Sequence, residues 1–334
     1  MTLLAPPAAL GVQVAGERAE VRCADPWVRG ELAKDFAAHT AAAGAGARLE
    51  LVLGRVPGVS PAGWRWRECR FSDAGSERRL DYGGGTAAVY DLERERGTVW
   101  SPDRHVLREL GYLFLQSRIG LALDRRGLHR VHALGLERGG RAGLVLLPSG
   151  GGKTTLALEL LRRPGWRLLG DDHPLLDARR GEVRAFQGRP GLRGAAPSWV
   201  DARDLADFRR RHHPPKRLLD LKALDGRLAE RGRLAWVAFG SAPGSGPARL
   251  RPSGAFGTAA ALAPALVSGV GLPQVLELLW PGLRPGAWAG LAAVAARRAS
   301  AAASVRVQGW RLTMGSCPRA AADLVEEADR RSRA

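Results

Sequence analysis

One stretch limits what this chain can fold into more than any other: AGLVLLPSGGGKTTLALELLRRPGWRLLGDD, residues 142–172. Its apolar run AGLVLLP reads as a buried strand. PSGGG reads as a loop, because proline and three successive glycines suit neither a helix nor a strand interior. KTTLALELLRR carries apolar residues at helical spacing, and WRLLGDD reads as a second strand. Strand, glycine loop, helix and strand in that order belong to an α/β architecture, and they are the context a phosphate-binding loop needs.

The chemistry of the loop follows from its residue types. The pattern of a phosphate loop is G-x-x-x-x-G-K-[ST]; residues 147–154 read LPSGGGKT, with Leu147 in place of the first glycine. Gly150, Gly151 and Gly152 permit backbone angles that turn consecutive N–H groups toward an anion. The helix beginning near Lys153 adds its positive N-terminal end. Ser149, Gly150, Gly151, Gly152, Lys153, Thr154 and Thr155 are therefore the candidate phosphate-binding residues, with the Thr154 hydroxyl a candidate Mg2+ ligand. A flexible glycine-rich turn is the bland alternative. Asp171 and Asp172 close the second strand. An acidic residue at the end of a strand near such a loop can hold Mg2+, and an adjacent one can take a proton from an attacking hydroxyl. The bland alternative for the pair is a helix cap or a turn.

These residues resemble the kinase domain of HPr kinase/phosphorylase and the wider group of HPr-kinase-like proteins. The resemblance rests on S-G-x-G-K-[ST], an amphipathic helix and a strand ending in D-D. It also rests on His132 in VHALGL, which precedes Lys153 by 21 residues, as the family's histidine does. It covers about residues 125–325 and is specific around 131–173. It implies an α/β fold with a P-loop kinase domain of the HPr kinase/PEP carboxykinase type, and ATP and Mg2+ as cofactors. It implies that Asp172 is the proton acceptor, with Lys153 and His132 beside it, and that Thr154 and Asp171 are the metal ligands; which aspartate is base and which binds metal stays open. It further implies a lysine before a short apolar strand, matched by Lys216 in HHPPKRLLDL, and self-association into a homo-oligomer. The bifunctional enzymes carry E-I-R-G-L-G about two dozen residues after the aspartates. This chain has FQGRPGLRGAAPSW there, without the glutamate, which argues against phosphorylase activity. Arg189 and Arg193 in that segment are candidate phosphate or substrate ligands.

Composition narrows the setting. Lys+Arg total 51 against 33 Asp+Glu, a net charge of +18, but only Lys34, Lys153, Lys216 and Lys222 are lysines and asparagine is absent. That is the signature of codon bias toward arginine, so the scattered charge alone identifies no nucleic-acid partner. A surviving lysine carries more information, and two of the four sit at the sites just described. The arginine-rich surface suits an acidic acceptor protein or peptide. Cys23, Cys69 and Cys317 are far apart and form no C-x-x-C, which argues against a disulfide framework and a cysteine zinc site. His212 and His213 lack metal-ligand spacing and read as surface residues. No basic start precedes the apolar N-terminus, and the apolar run near 255–272 is broken by Pro264 and Ser268. Neither a signal peptide nor a membrane span is expected, and the expected location is the cytoplasm.

The rest of the chain sets the domain expectation. Residues 1–100 read as a small α+β domain of short strands with a helix over 29–43, a candidate for substrate recruitment. Residues 101–334 read as the kinase-like domain, opened by a helix over 104–126. Segment 198–213 reads as a helix capped by Ser198, 241–253 as a loop, and 286–303 and 317–333 as helices. Two functions stay open: an ATP-dependent kinase acting on a serine or threonine hydroxyl (a small-molecule hydroxyl being the nearest variant), and a nucleotide-binding regulatory or assembly protein with little turnover.

Overall fold

A computed structural model describes residues 8–44, 46–56, 64–66, 69–211, 214–242, 244–267 and 285–333. The architecture is mixed α/β, with three sheets and six α-helices among the described residues. It divides into two compact units. The first takes described residues from 1–122, 207–215 and 273–291; the second takes 123–206, 216–272 and 292–334.

In the first unit the alternation of VQVAGERAEVRC forms an antiparallel pair, β1 (Ala9–Val14) and β2 (Glu17–Cys23). They join β3 (Thr40–Ala41), β4 (Ala47–Leu53), β5 (Trp64–Trp66), β6 (Cys69–Ala74), β7 (Glu77–Gly83), β8 (Thr86–Asp91) and β9 (Arg96–Ser101) in one sheet, in the order β3-β1-β2-β4-β9-β8-β7-β6-β5. Helix α1 (Pro26–Asp35) starts where the Asp25 carboxylate accepts from the Val28 N–H at 2.8 Å. Helix α2 (Arg104–Arg125) packs so closely that a Cβ on Gly111 would lie 2.7 Å from Leu51. Its buried Arg108 pairs with Asp35 at 2.9 Å and Glu31 at 3.2 Å. These contacts carry the first unit to residue 122, past the boundary at 100 that the sequence suggests.

The second unit holds the glycine loop. Its sheet comprises β10 (Leu128–Arg130), β11 (Leu134–Arg138), β12 (Arg141–Leu146), β13 (Arg167–Asp171), β14 (Leu175–Asp177) and β15 (Glu182–Arg184), joined by three later strands. A pair of short strands, β16 (Gly191–Leu192) and β18 (Lys216–Leu219), lies apart, with β17 (Leu205–Phe208) between them in the chain. The later strands are β19 (Arg231–Gly240), β20 (Arg249–Ser253) and β21 (Gln308–Thr313). The order is β10-β14-β15-β19-β12-β11-β13, with β21 beside β19 and β20 outside β21.

Both faces of this sheet are covered, which explains the unbroken apolar run of β12. Val145 and Leu147 join a core with Leu156 and Leu160 of helix α3 (Lys153–Leu161). Leu144 and Leu146 join a second core with Leu262 and Leu266 of helix α4 (Ala255–Val267) and Ala302 of helix α5 (Pro285–Ser304). Helix α6 (Pro318–Arg331) closes the first core with Ala321, Val325 and Ala328.

The β12–β19 ladder skips Ala235: Ala142 faces Leu234, and Gly143 faces Trp236. This bulge turns Trp236 over Gly143, where an added Cβ would stand 2.0 Å from the indole. Gly143→Ala is therefore expected to cost about 1–3 kcal/mol through overpacking. The check is a lower urea midpoint with an unchanged slope.

Three segments depart from the sequence reading. The helix expected over 29–43 runs from Pro26 to Asp35 and gives way to a 3-10 turn, Ala37–His39, and to β3, which pairs with β1. Residues 198–211 form no α-helix. Asp201 caps a single 3-10 turn, Ala202–Asp204, and the Asp204 carbonyl accepts from Asp220 N–H at 2.8 Å, so the backbone turns outward into β17. Segment 241–253 ends not in a loop but in β20, where edge position tolerates Pro252. The apolar run after 255 becomes α4, and among the described residues no helix is long and apolar enough to cross a membrane. His212 and His213 lie outside the described residues.

Candidate functional site

Strand register assembles the site. β12 and β13 are both antiparallel to β11, so they run the same way, and Leu134 of β11 stands opposite both Val145 and Asp171. The loop leaving β12 and the aspartates ending β13 therefore emerge at one sheet edge, about 10 Å apart across a single strand. β11 begins two residues after His132, which brings the histidine to the same edge.

The loop has the backbone its glycines permit. Gly150 (φ +78°) and Gly152 (φ +88°) are left-handed, and Gly151 N–H turns back onto the Pro148 carbonyl at 2.9 Å. No side chain caps the N-terminus of α3, so its first N–H groups keep their affinity for an anion. The ammonium of buried Lys153 donates to Leu147 O at 2.8 Å, Pro148 O at 3.2 Å and His132 Nε2 at 3.1 Å, with Asp172 Oδ1 3.4 Å away. Arg193 reaches the Ser149 hydroxyl at 3.4 Å and would meet a Cβ on Gly150 at 3.3 Å, so it lies along the loop. Thr155 is exposed on α3, and Arg189 is buried in the irregular segment before β16.

The aspartates hold different positions. Thr154 donates to Asp171 Oδ2 at 2.6 Å, while Asp171 Oδ1 is buried without a hydrogen-bond partner. Burial, with the neighbouring Asp172 charge, pushes the Asp171 carboxyl up to about 6. A buried carboxylate oxygen without a donor, beside a threonine hydroxyl, fits a hard cation such as Mg2+. Burial alone would raise Asp172 too. There the positive charge of Lys153, with Lys216 behind it, wins and holds it below the ordinary carboxylate range.

Asp172 has φ +95°, a strained angle for a residue with a side chain, held by its N–H donating to Ala133 O at 3.0 Å. Burial and then Lys153 push the His132 imidazole down. A neutral His132 accepting from Lys153 at Nε2 carries its proton on Nδ1, which faces Asp172 Oδ1 at 3.8 Å. Lys216 lies over Gly191, where a Cβ would be 2.5 Å from Nζ, and its charge acts on both aspartates.

Of the sequence candidates, Lys153, Thr154, His132, Asp171 and Asp172 converge, with Arg193 and Lys216 beside them. The sequence reading missed His173. It is buried with its ring 6.3 Å from that of Phe186, and burial pushes it down to about 4. Its place directly after two site residues was the available signal. Asp171 carries a raised pKa, so its cost to stability builds as pH rises from the ordinary carboxylate value, is full above about pH 6 and vanishes only below the unfolded carboxylate value. Asp171→Asn is expected to raise the melting temperature at pH 7.5 by about 2–4 °C. Scanning fluorimetry without Mg2+ checks this. No protein-family model matches the chain, and no curated protein matches it.

Proposed function

We propose that the chain is an ATP-dependent kinase of the HPr-kinase-like kind, passing the γ-phosphate to a serine or threonine hydroxyl of a small protein or peptide. The observation that carries this is the meeting of Lys153, His132 and ionised Asp172 at 3.1–3.8 Å, one residue from the Thr154–Asp171 pair. The glycine loop and the uncapped α3 would bind the phosphates of ATP. Thr154 and Asp171 would hold Mg2+, which when bound neutralises charge on the transferring group. Asp172 takes the proton of the acceptor hydroxyl as its oxygen bonds to the γ-phosphorus and the bond to the ADP oxygen breaks. Lys153 exchanges its contact with His132 Nε2 for a phosphate oxygen, and Arg193 and Lys216 add positive charge at the loop mouth.

The competing reading is a nucleotide-binding module with little turnover. Its support is that all three N–H donors of Lys153 are already satisfied within the protein. Incubation with γ-labelled ATP, Mg2+ and serine-bearing peptides encoded beside the gene separates the two. Label on serine or threonine with the wild type, absent with Lys153→Ala, is the expected result. ATP binding without transfer to any acceptor would transfer the case to the binding module.

A further inference from the structure

The solvent-facing side of β20–β21 has a feature that folding alone does not explain. Arg251 and Arg311 stand directly opposite each other in the antiparallel register, and like charges so placed are destabilising. Arg249, two residues before Arg251 on the same face, is exposed with them. None of the three has an acidic partner among the described residues. Arg311 lies 6.0 Å from the Phe239 ring. Phe256, three residues past the end of β20, is 87% exposed. Three unneutralised guanidinium groups on one face of this strand pair form a surface complementary to an acidic chain.

The ribbon also lies on the site's sheet. Leu146, at the mouth of the loop, pairs with Phe239, Phe239 with Arg311, and Arg311 with Arg251. We infer that this ribbon docks an acidic, extended segment of the phosphate acceptor, with Arg249, Arg251 and Arg311 holding its carboxylates. This rests on the kinase reading for its purpose but not for its detection. Pro252 interrupts the outer edge of β20, so the segment is held through side chains rather than as an added strand. β21, β19, β12 and β11 separate β20 from β13. Five strand spacings of about 4.8 Å make about 24 Å, which roughly seven extended residues span. The acceptor hydroxyl is thus expected about seven residues from the acidic block.

The test uses the full chain and a fluorescent synthetic peptide with one serine, a seven-residue neutral spacer and a block of glutamates. Anisotropy without nucleotide is expected to show binding that weakens at least tenfold in Arg251→Glu and is unchanged in Lys153→Ala. Arg251→Glu places opposite charges across the ribbon, so it retains the fold; circular dichroism and the milder Arg251→Gln verify this. Equal binding by wild type and Arg251→Glu overturns the inference. Tighter binding of a single-stranded oligonucleotide of the same charge overturns it too. Peptide binding that depends on Arg251 without phosphate transfer leaves the docking surface standing and removes the kinase. Transfer that ignores both the acidic block and Arg251 does the reverse.

Discussion

Asp172→Asn is expected to slow phosphoryl transfer by about 10²–10⁴-fold, the range a positioned general base contributes. That corresponds to about 3–5 kcal/mol of barrier. Affinity for ATP should stay within a few-fold, because the loop glycines, α3 and Lys153 remain. The substitution is nearly isosteric, and asparagine tolerates the positive φ of this position better than most residues, so stability should not fall. A loss of rate with intact binding and melting therefore isolates proton acceptance from folding. The pH profile adds a second readout. Lys153 and its neighbours hold the Asp172 carboxyl below the ordinary carboxylate range, so the acidic limb assigned to this group should lie below that range. Unchanged transfer by Asp172→Asn would remove Asp172 as the base. Single-turnover measurement with γ-labelled ATP gives the rate free of product release.

The parts of the site carried by local chemistry were legible in the sequence. Three glycines before Lys-Thr dictate the loop, and the apolar run before them dictates a strand covered on both faces. What joins the parts was less legible, because it depends on strand order. Nothing in WRLLGDD says that β11 lies between β13 and β12, yet that placement sets Asp171 opposite Leu134 and brings His132 to Lys153. His132 stood out only through its spacing from Lys153. The failures have one physical origin: pairing partners distant in sequence. The Asp204 carbonyl bonds to Asp220 rather than along a helix, and β20 exists because β21, far along the chain, offers it an edge. Helix α2 reads correctly as a helix, but its membership of the first unit is decided by Leu51 and Asp35. An extended sequence pattern shows that a strand forms; it does not show beside what.

Loss of one partner from the buried cluster at Asp124 is expected to be the most destabilising change in the second unit. Asp124, in the last turn of α2, and Arg298 of α5 are each 1% exposed and joined through both carboxylate oxygens. His129 Nδ1 meets Asp124 Oδ1 at 2.8 Å, and Arg298 also donates to Leu266 O of α4 at 3.2 Å. Asp124→Ala leaves a guanidinium buried without its counter-charge, which costs about 3–5 kcal/mol. Replacing the pair together by Leu and Met should restore much of that loss, because apolar groups of similar volume avoid the desolvation cost.

The pH dependence has a definite sign. Burial alone would raise the Asp124 carboxyl, but its bonds to His129 and Arg298 win and hold it below its ordinary value. A depressed folded value means that the stability from this group is full above the unfolded carboxylate pKa. It is lost as pH falls through the folded value. Urea unfolding followed by tryptophan fluorescence should therefore show wild type and Asp124→Ala far apart at pH 7 and converging below about pH 4. A constant gap between the two down to pH 2 would mean that Asp124 contributes packing rather than charge.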